Sequence, residues 1–249
     1  MKKKIAFVIN PKSGTGNKNE IPVLIEKHLD KRMFDYTVRF TEYRGHGKEL
    51  AAQFVAQSYD AVVAVGGDGT VNEVACALIH TTASLGIIPV GSGNGLARHL
   101  GIPVVVKNAI QHLNRSESIL MDYGLVNNQP FFCTCGTGFD AYVSIEFAKS
   151  KHRGVMSYVE KMITGIFNYK PIKYHLLTEN SDLEGKAFVL TFANASQFGN
   201  NAFIAPQASV QDGKLDVSIL SDVPFIALPG LALQLFTKTI DKDFNMTTL

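Results

Sequence analysis

A parallel α/β domain followed by a mainly antiparallel β domain is predicted by two features of the 249-residue chain. Up to Arg115, short apolar runs alternate with segments of helical spacing, and each run stops at a loop rich in Gly, Asn or Ser. Beyond Ser118, most of the readable elements are short apolar runs separated by polar turns. The boundary is therefore placed between residues 1–116 and 117–249.

The first part repeats one unit four times. Ile5–Ile9 reads as a strand, Asn10–Asn17 as its loop, and Glu20–Asp30 as a helix whose Pro22 is tolerated in the first turn. Tyr36–Thr41 is the second strand, Glu42–Gly47 its loop and Lys48–Gln57 its helix. Ala61–Val65 is a valine-rich strand stopped by Gly66 and Gly67, and from Thr70 the residues Val71, Val74, Ala75 and Leu78 keep helical spacing. Leu85–Val90 is the fourth strand, leading through Gly91–Gly95 into Leu96–Leu100, and Val104–Leu113 is a further helix. In a parallel sheet the four loops open on the carboxyl edge of the strands, where they can converge on one ligand.

In the second part, Ser118–Val126 and Pro130–Cys135 flank an Asn127-Asn128 turn and read as a β-hairpin. Ala141–Phe167 has helical character, and Ile172–Thr178, Ala187–Asn194 and Leu215–Leu220 read as strands, with Glu179–Gly185 as a polar loop. Val223–Ile240 is apolar, which fits a segment dipping into a membrane, but it is interrupted by Pro224 and Pro229 and too short to span, so a buried helix or linker is expected.

Composition narrows the function. A hydrophobic content of 46% supports a true core, and a net charge of +2 gives no field to recruit nucleic acid. No apolar run reaches membrane-spanning length, and Lys2-Lys3-Lys4 is too short for a targeting signal. Cys76, Cys133 and Cys135 form neither a disulfide framework nor a zinc pattern, in keeping with a cytoplasmic chain.

The central stretch is D-A-V-V-A-V-G-G-D-G-T-V-N-E from Asp60 to Glu73. Strand, glycine loop and helix make an anion site, because Gly66, Gly67 and Gly69 let backbone N–H groups approach a ligand at a helix start. Asp68 is anomalous there. A carboxylate among groups that attract phosphate is repulsive unless it meets a metal or takes a proton. Asp-Gly is equally turn chemistry with Asp68 as a helix cap, and on this stretch alone both readings stand open.

N-P-K-S-G at Asn10–Gly14, G-G-D-G-T-V-N-E at Gly66–Glu73 and P-V-G-S-G-N at Pro89–Asn94, in that order, resemble the diacylglycerol kinase catalytic-domain family. The likeness continues through Thr41, Asp122, G-T-G-F-D at Gly136–Asp140 and Ala205–Val217. It implies a phosphofructokinase-like α/β domain followed by a β-sandwich, and transfer of phosphate from ATP, with Mg2+, to the hydroxyl of a lipid resembling diacylglycerol or sphingosine. It further implies an ATP site lined by Asn10, Ser13, Thr41, Gly66, Gly67, Asp68, Gly69, Thr70, Val71, Asn72, Glu73, Gly91, Ser92, Gly93 and Asn94. Asp68 would activate the acceptor or sit close to the metal. A structural metal is implied at Asp212 with the carbonyls of Ser209 and Lys214, where the ordinary reading is a β-turn. Asp140 reads either as part of a head-group site or as a helix cap, and Lys149, Lys151 and Arg153 as a membrane contact or a solvated helix end. A lipid acceptor also implies peripheral contact with a membrane.

The shared G-G-D-G-T leaves a soluble NAD-kinase-type enzyme as the alternative, although the G-S-G-N loop is foreign to that family. A nucleotide-binding protein without turnover is a third reading. Family members continue into further strands with an Asp-Gly-Glu motif that this sequence lacks. The expectation is a shortened form, or a sheet edge covered by a partner in a homodimer formed through the second domain.

Overall fold

The structure, a computed structural model, describes residues 2–14, 18–139, 141–143, 145, 169–179, 181–221 and 223–249. The chain divides into two compact units, Met1–Met121 and Asp122–Leu249.

The first unit is built on β1 (Lys3–Ile9), α1 (Ile21–His28), β2 (Phe34–Phe40), α2 (His46–Ala56), β3 (Ala61–Gly66), α3 (Asp68–Leu78), β4 (Ser84–Pro89), α4 (Gly95–His99) and α5 (Val106–Leu113). Its sheet is parallel throughout, in the order β2-β1-β3-β4. Ile5 to Ile9 and Val62 to Gly66 are buried without alternation, as strands covered on both faces must be. Ile5, Phe7, Ile9, Val63, Val65 and Ile88 pack with Ile21, Ile25 and Leu29 of and after α1 and Ala109 and Ile110 of α5. Each of the Val, Leu, Ile and Phe side chains so removed from water contributes about 1.5–3 kcal/mol. The order reverses direction between β1 and β3, the position at which a parallel α/β sheet gathers a ligand on its carboxyl edge.

The second unit holds β5 (Gly124–Val126), β6 (Gln129–Phe131), β7 (Thr134–Gly138), β8 (Ile172–Leu177), β9 (Asp182–Ala187), β10 (Val189–Ala193), β11 (Gln197–Gly199), β12 (Ala202–Phe203), β13 (Asp216–Leu220), α6 (Leu228–Thr237) and β14 (Met246–Thr248). Its main sheet is antiparallel in the order β14-β13-β10-β7. Val189 and Leu220 belong to one apolar cluster of this sheet. Leu190, Val217 and Ile219 belong to another, against which Ile172, Tyr174 and Leu176 of the β8–β9 hairpin pack, giving an antiparallel sandwich.

Several sequence expectations are corrected. The Asn127-Asn128 turn is present, both residues at positive φ, but the first hairpin strand is only Gly124–Val126. Cys135 belongs to a separate strand, β7, which runs on through Gly136 to Gly138 and pairs with β10. Glu179–Gly185 is not simply a loop, because Asp182 begins β9. That strand turns only alternate residues inward and its polar face hides it from a hydropathy reading. Val223–Ile240 does contain a helix, α6, yet Leu231 is the one residue of it that is buried, and Leu233 and Phe236 are 64% and 57% exposed. Apolar content alone does not imply burial. Most of the expected Ala141–Phe167 helix, with Asp140, Lys149, Lys151 and Arg153, lies outside the described residues.

Gly66 closes β3 against α3. A Cβ at Gly66 would lie 2.3 Å from the Thr70 Cβ and 2.4 Å from its Oγ1. Gly66→Ala is expected to destabilise the protein by about 1–3 kcal/mol, the usual result of overpacking, read as a lowered urea midpoint. An unchanged midpoint would show that Thr70 moves aside without cost.

Candidate functional site

The carboxyl ends of β1 and β3 are tied together before any ligand arrives. The Asn10 N–H donates to the Val65 carbonyl at 3.0 Å, and Asn10 Nδ2 donates to Thr70 Oγ1 at 3.0 Å. Asn10 Oδ1 accepts the Lys12 N–H at 2.9 Å, which bends the loop after β1. Ser13 Oγ accepts the Gly67 N–H at 3.3 Å. Thr41, at the end of β2, is buried and donates its N–H to the Ile9 carbonyl at 2.9 Å.

The loops after β3 and β4 also meet. A Cβ at Gly91 would lie 2.5 Å from the Gly67 Cα, so a side chain there cannot be accommodated without separating the loops. Asn94 locks its own loop reciprocally, with Nδ2 donating to the Gly91 carbonyl at 2.8 Å and Oδ1 accepting the Gly91 N–H at 3.0 Å. Asn94 is itself buried at φ 55°, a left-handed conformation that asparagine tolerates. Gly93 is held through its carbonyl, which accepts from Arg98 Nε at 3.1 Å, while Ser92 is exposed.

Asp68 occupies the first position of α3, but its carboxylate serves another helix. Asp68 Oδ2 accepts the Asn94 N–H at 2.9 Å, and the N–H groups of Gly95 and Leu96 lie near enough to favour its charged form. These are the open donors at the start of α4, which has no side-chain cap of its own. Burial pushes the Asp68 pKa above the usual carboxylate value, and the N–H groups at residues 94–96 offset this in part. The repulsion expected between Asp68 and a phosphate is thereby reduced, because the charge is engaged by α4 while the α3 N-terminus keeps its favourable dipole.

Glu73, in the same motif, accepts the Gly45 N–H at 2.9 Å and the Gly47 N–H at 3.1 Å. The remaining motif side chains divide. Val71 turns into the core, as helical period requires, leaving only its backbone near the site. Asn72 Nδ2 lies 3.7 Å from Cys76 Sγ, along its own helix. The first-turn N–H groups of Gly69 and Thr70 are in place to receive an anion.

Sequence reading missed Lys18. It is 6% exposed, burial lowers its pKa, and its amine would lie 3.7 Å from a Cβ built at Gly14 in the N-P-K-S-G loop. A cation eight positions after Asn10 is the only sequence signal it gave, one among 24 Lys and Arg.

Ser209, Asp212 and Lys214 share one turn in the second unit. Asp212 Oδ1 accepts the Lys214 N–H at 3.0 Å, Gly213 sits at φ 71°, and its N–H donates to Asp122 Oδ2 at 2.8 Å. This is an Asx-type turn closed by its own hydrogen bonds. Among the described residues no group of three His, Cys, Asp or Glu could hold a metal. A cation here would rest on the Asp212 carboxylate and backbone carbonyls.

Comparison with known proteins agrees with this geometry. Residues 4–126 match the model of the diacylglycerol kinase catalytic domain, and residues 133–238 match the YegS C-terminal NAD kinase beta sandwich-like domain. A Yersinia enterocolitica protein named "Probable lipid kinase YegS-like" is 30% identical over 85% of this chain and 73% of its own length. An uncharacterised protein of Synechocystis sp. is 31% identical over 95% of this chain, which spans 58% of that relative's length. The crystal structure of a diacylglycerol kinase from Bacillus anthracis has a TM-score of 0.72 at 19% identity, covering 99% of this chain and 83% of that one. At that identity the likeness shows the fold.

Because burial holds the folded-state pKa of Asp68 above the ordinary carboxylate value, the stability this group contributes is present at low pH and is lost as pH rises through the raised value. Asp68→Asn removes that dependence. Urea midpoints measured upward from pH 4 should therefore show wild type losing ground to the variant, and a drift in the opposite direction would mean that the α4 N–H groups outweigh burial.

Proposed function

The chain belongs to the diacylglycerol kinase catalytic-domain family, and from that premise we propose that it transfers the γ-phosphoryl group of ATP to the hydroxyl of a lipid. The observation that carries this reading is the set of four strand-end loops, which are tied to one another through α3 and the glycine loop that precedes it. Phosphates fit against the N–H groups of Gly69 and Thr70, with exposed Ser92 supplying a further donor. Val71, and the side chains of Asn10 and Asn94, act by shaping the loops.

In the proposed step the acceptor oxygen bonds to the γ-phosphorus as the bond to the bridging oxygen of ADP breaks. Magnesium bound with the triphosphate would neutralise the charge that develops there. Asp68, whose proton affinity burial raises, is the group assigned to take the hydroxyl proton or to stand near the metal. No helix among the described residues is long and apolar enough to cross a membrane. Access to a lipid then calls for peripheral contact at the bilayer surface, a reading supported by the exposed Leu233 and Phe236 of α6.

A second reading has one observation behind it, the likeness of residues 133–238 to a domain described as NAD kinase-like. Transfer of labelled phosphate from ATP to a panel of lipids in mixed micelles, run beside NAD, separates the two. Label is expected on lipid, and Asp68→Asn is expected to cut turnover by at least ~10², the scale of a lost general base. Label on NAD alone would contradict the lipid reading, and unchanged turnover in the variant would remove Asp68 from the chemistry.

A further inference from the structure

We infer that Glu73 is a positioning residue which fixes the outer wall of the nucleotide site by capping α2 from α3. The inference rests on the nucleotide-binding reading above. Helix α2 starts without a side-chain cap of its own, and its N-cap Gly45 stands at φ 91°, where side-chain-bearing residues are strained. Glu73 supplies the missing cap in trans, Oε1 taking the Gly45 N–H and Oε2 the Gly47 N–H. Two of the donors left open at the start of α2 are satisfied by one carboxylate.

The loop so anchored is the one that leaves β2. It is stiffened within itself: the Glu42 N–H donates to His46 Nδ1 at 3.1 Å, Tyr43 stacks on His46 with ring centroids 4.5 Å apart, and Tyr43 Oη donates to Glu49 Oε2 at 2.6 Å. A stiff loop tied at one point moves as a body when that tie is cut. Strands β2 and β4 are the two edges of the sheet, so their loops are the outermost of the four and form the outer walls of the site. Asp68 holds the wall after β4 and Glu73 the wall after β2, five residues apart on one helix. Their spacing on α3 sets the width of the site before the nucleotide arrives, which is preorganisation in the sense of lowered binding cost.

Gly47 offers the same lesion from the other side, because a Cβ there would meet Glu73 Oε2 at 2.8 Å. The test uses the whole chain, Glu73→Gln, Gly47→Ala and their combination. Amide exchange by NMR without nucleotide is expected to lose protection at Gly45 and Gly47 and to keep it at Asn94. In the transfer assay the KM for ATP should rise ~10-fold while kcat stays within about 3-fold, the pattern of lost uniform binding. The combined variant should be no worse than either alone, since both break one contact. Retained protection in Glu73→Gln, additive effects in the combined variant, or lost protection with an unchanged KM would each overturn the inference. A wild-type chain that binds no ATP would sink the kinase reading and the positioning role with it, while the exchange arm would still report whether the cap exists.

Discussion

Two carboxylates on one helix bear the organisation of the first unit. α2 and α4 both begin with a residue in the left-handed conformation, Gly45 and Asn94, and neither carries its own side-chain cap. Helices that start this way leave backbone donors open, at a cost that must be met by some partner. Asp68 and Glu73 meet it from α3, and the loops after β4 and β2 are thereby referred to a single rigid element. The loop after β1 joins the same frame through Asn10 on Thr70 and Ser13 on Gly67.

This changes what the motif from Gly66 to Glu73 is for. Its side chains assemble the site more than they line it, and the groups left for a ligand are backbone N–H donors at the start of α3. Such donors are fixed in direction and need little reorganisation when phosphate charge is placed against them. The glycines serve the same end at two points that the geometry singles out. Gly66 admits Thr70 beneath it, and Gly91 admits Gly67 beside it, so both loops approach more closely than side chains would allow.

Much of this was legible in the sequence because the signals are local. Short unbroken apolar runs such as Ile5–Ile9, stopped by loop residues, fit strands buried on both faces, and the loops between them follow from Gly, Asn and Pro. The anomaly of Asp68 was also legible, but its resolution was not: a cap supplied in trans joins residues 68 and 94, or 73 and 45, which no local pattern relates. Lys18 escaped for the same reason, since burial of a lysine is a property of the folded loop. In the second unit β9 escaped because an outward-facing hairpin strand carries little hydropathy, while the helix within Val223–Ile240 was legible and only its exposure was not, since apolar content does not say which face is covered.

The central claim is that the phosphates of a nucleotide meet a frame already held by Asp68 and Glu73. A crystal structure of the whole chain with a non-hydrolysable ATP analogue tests it most directly. The account predicts the triphosphate between the loops at residues 66–70 and 91–95, on the N–H groups of Gly69 and Thr70, with both carboxylates still on the starts of α4 and α2. Phosphates bound elsewhere, or an Asp68 carboxylate that leaves residues 94–96 when the nucleotide binds, would contradict it.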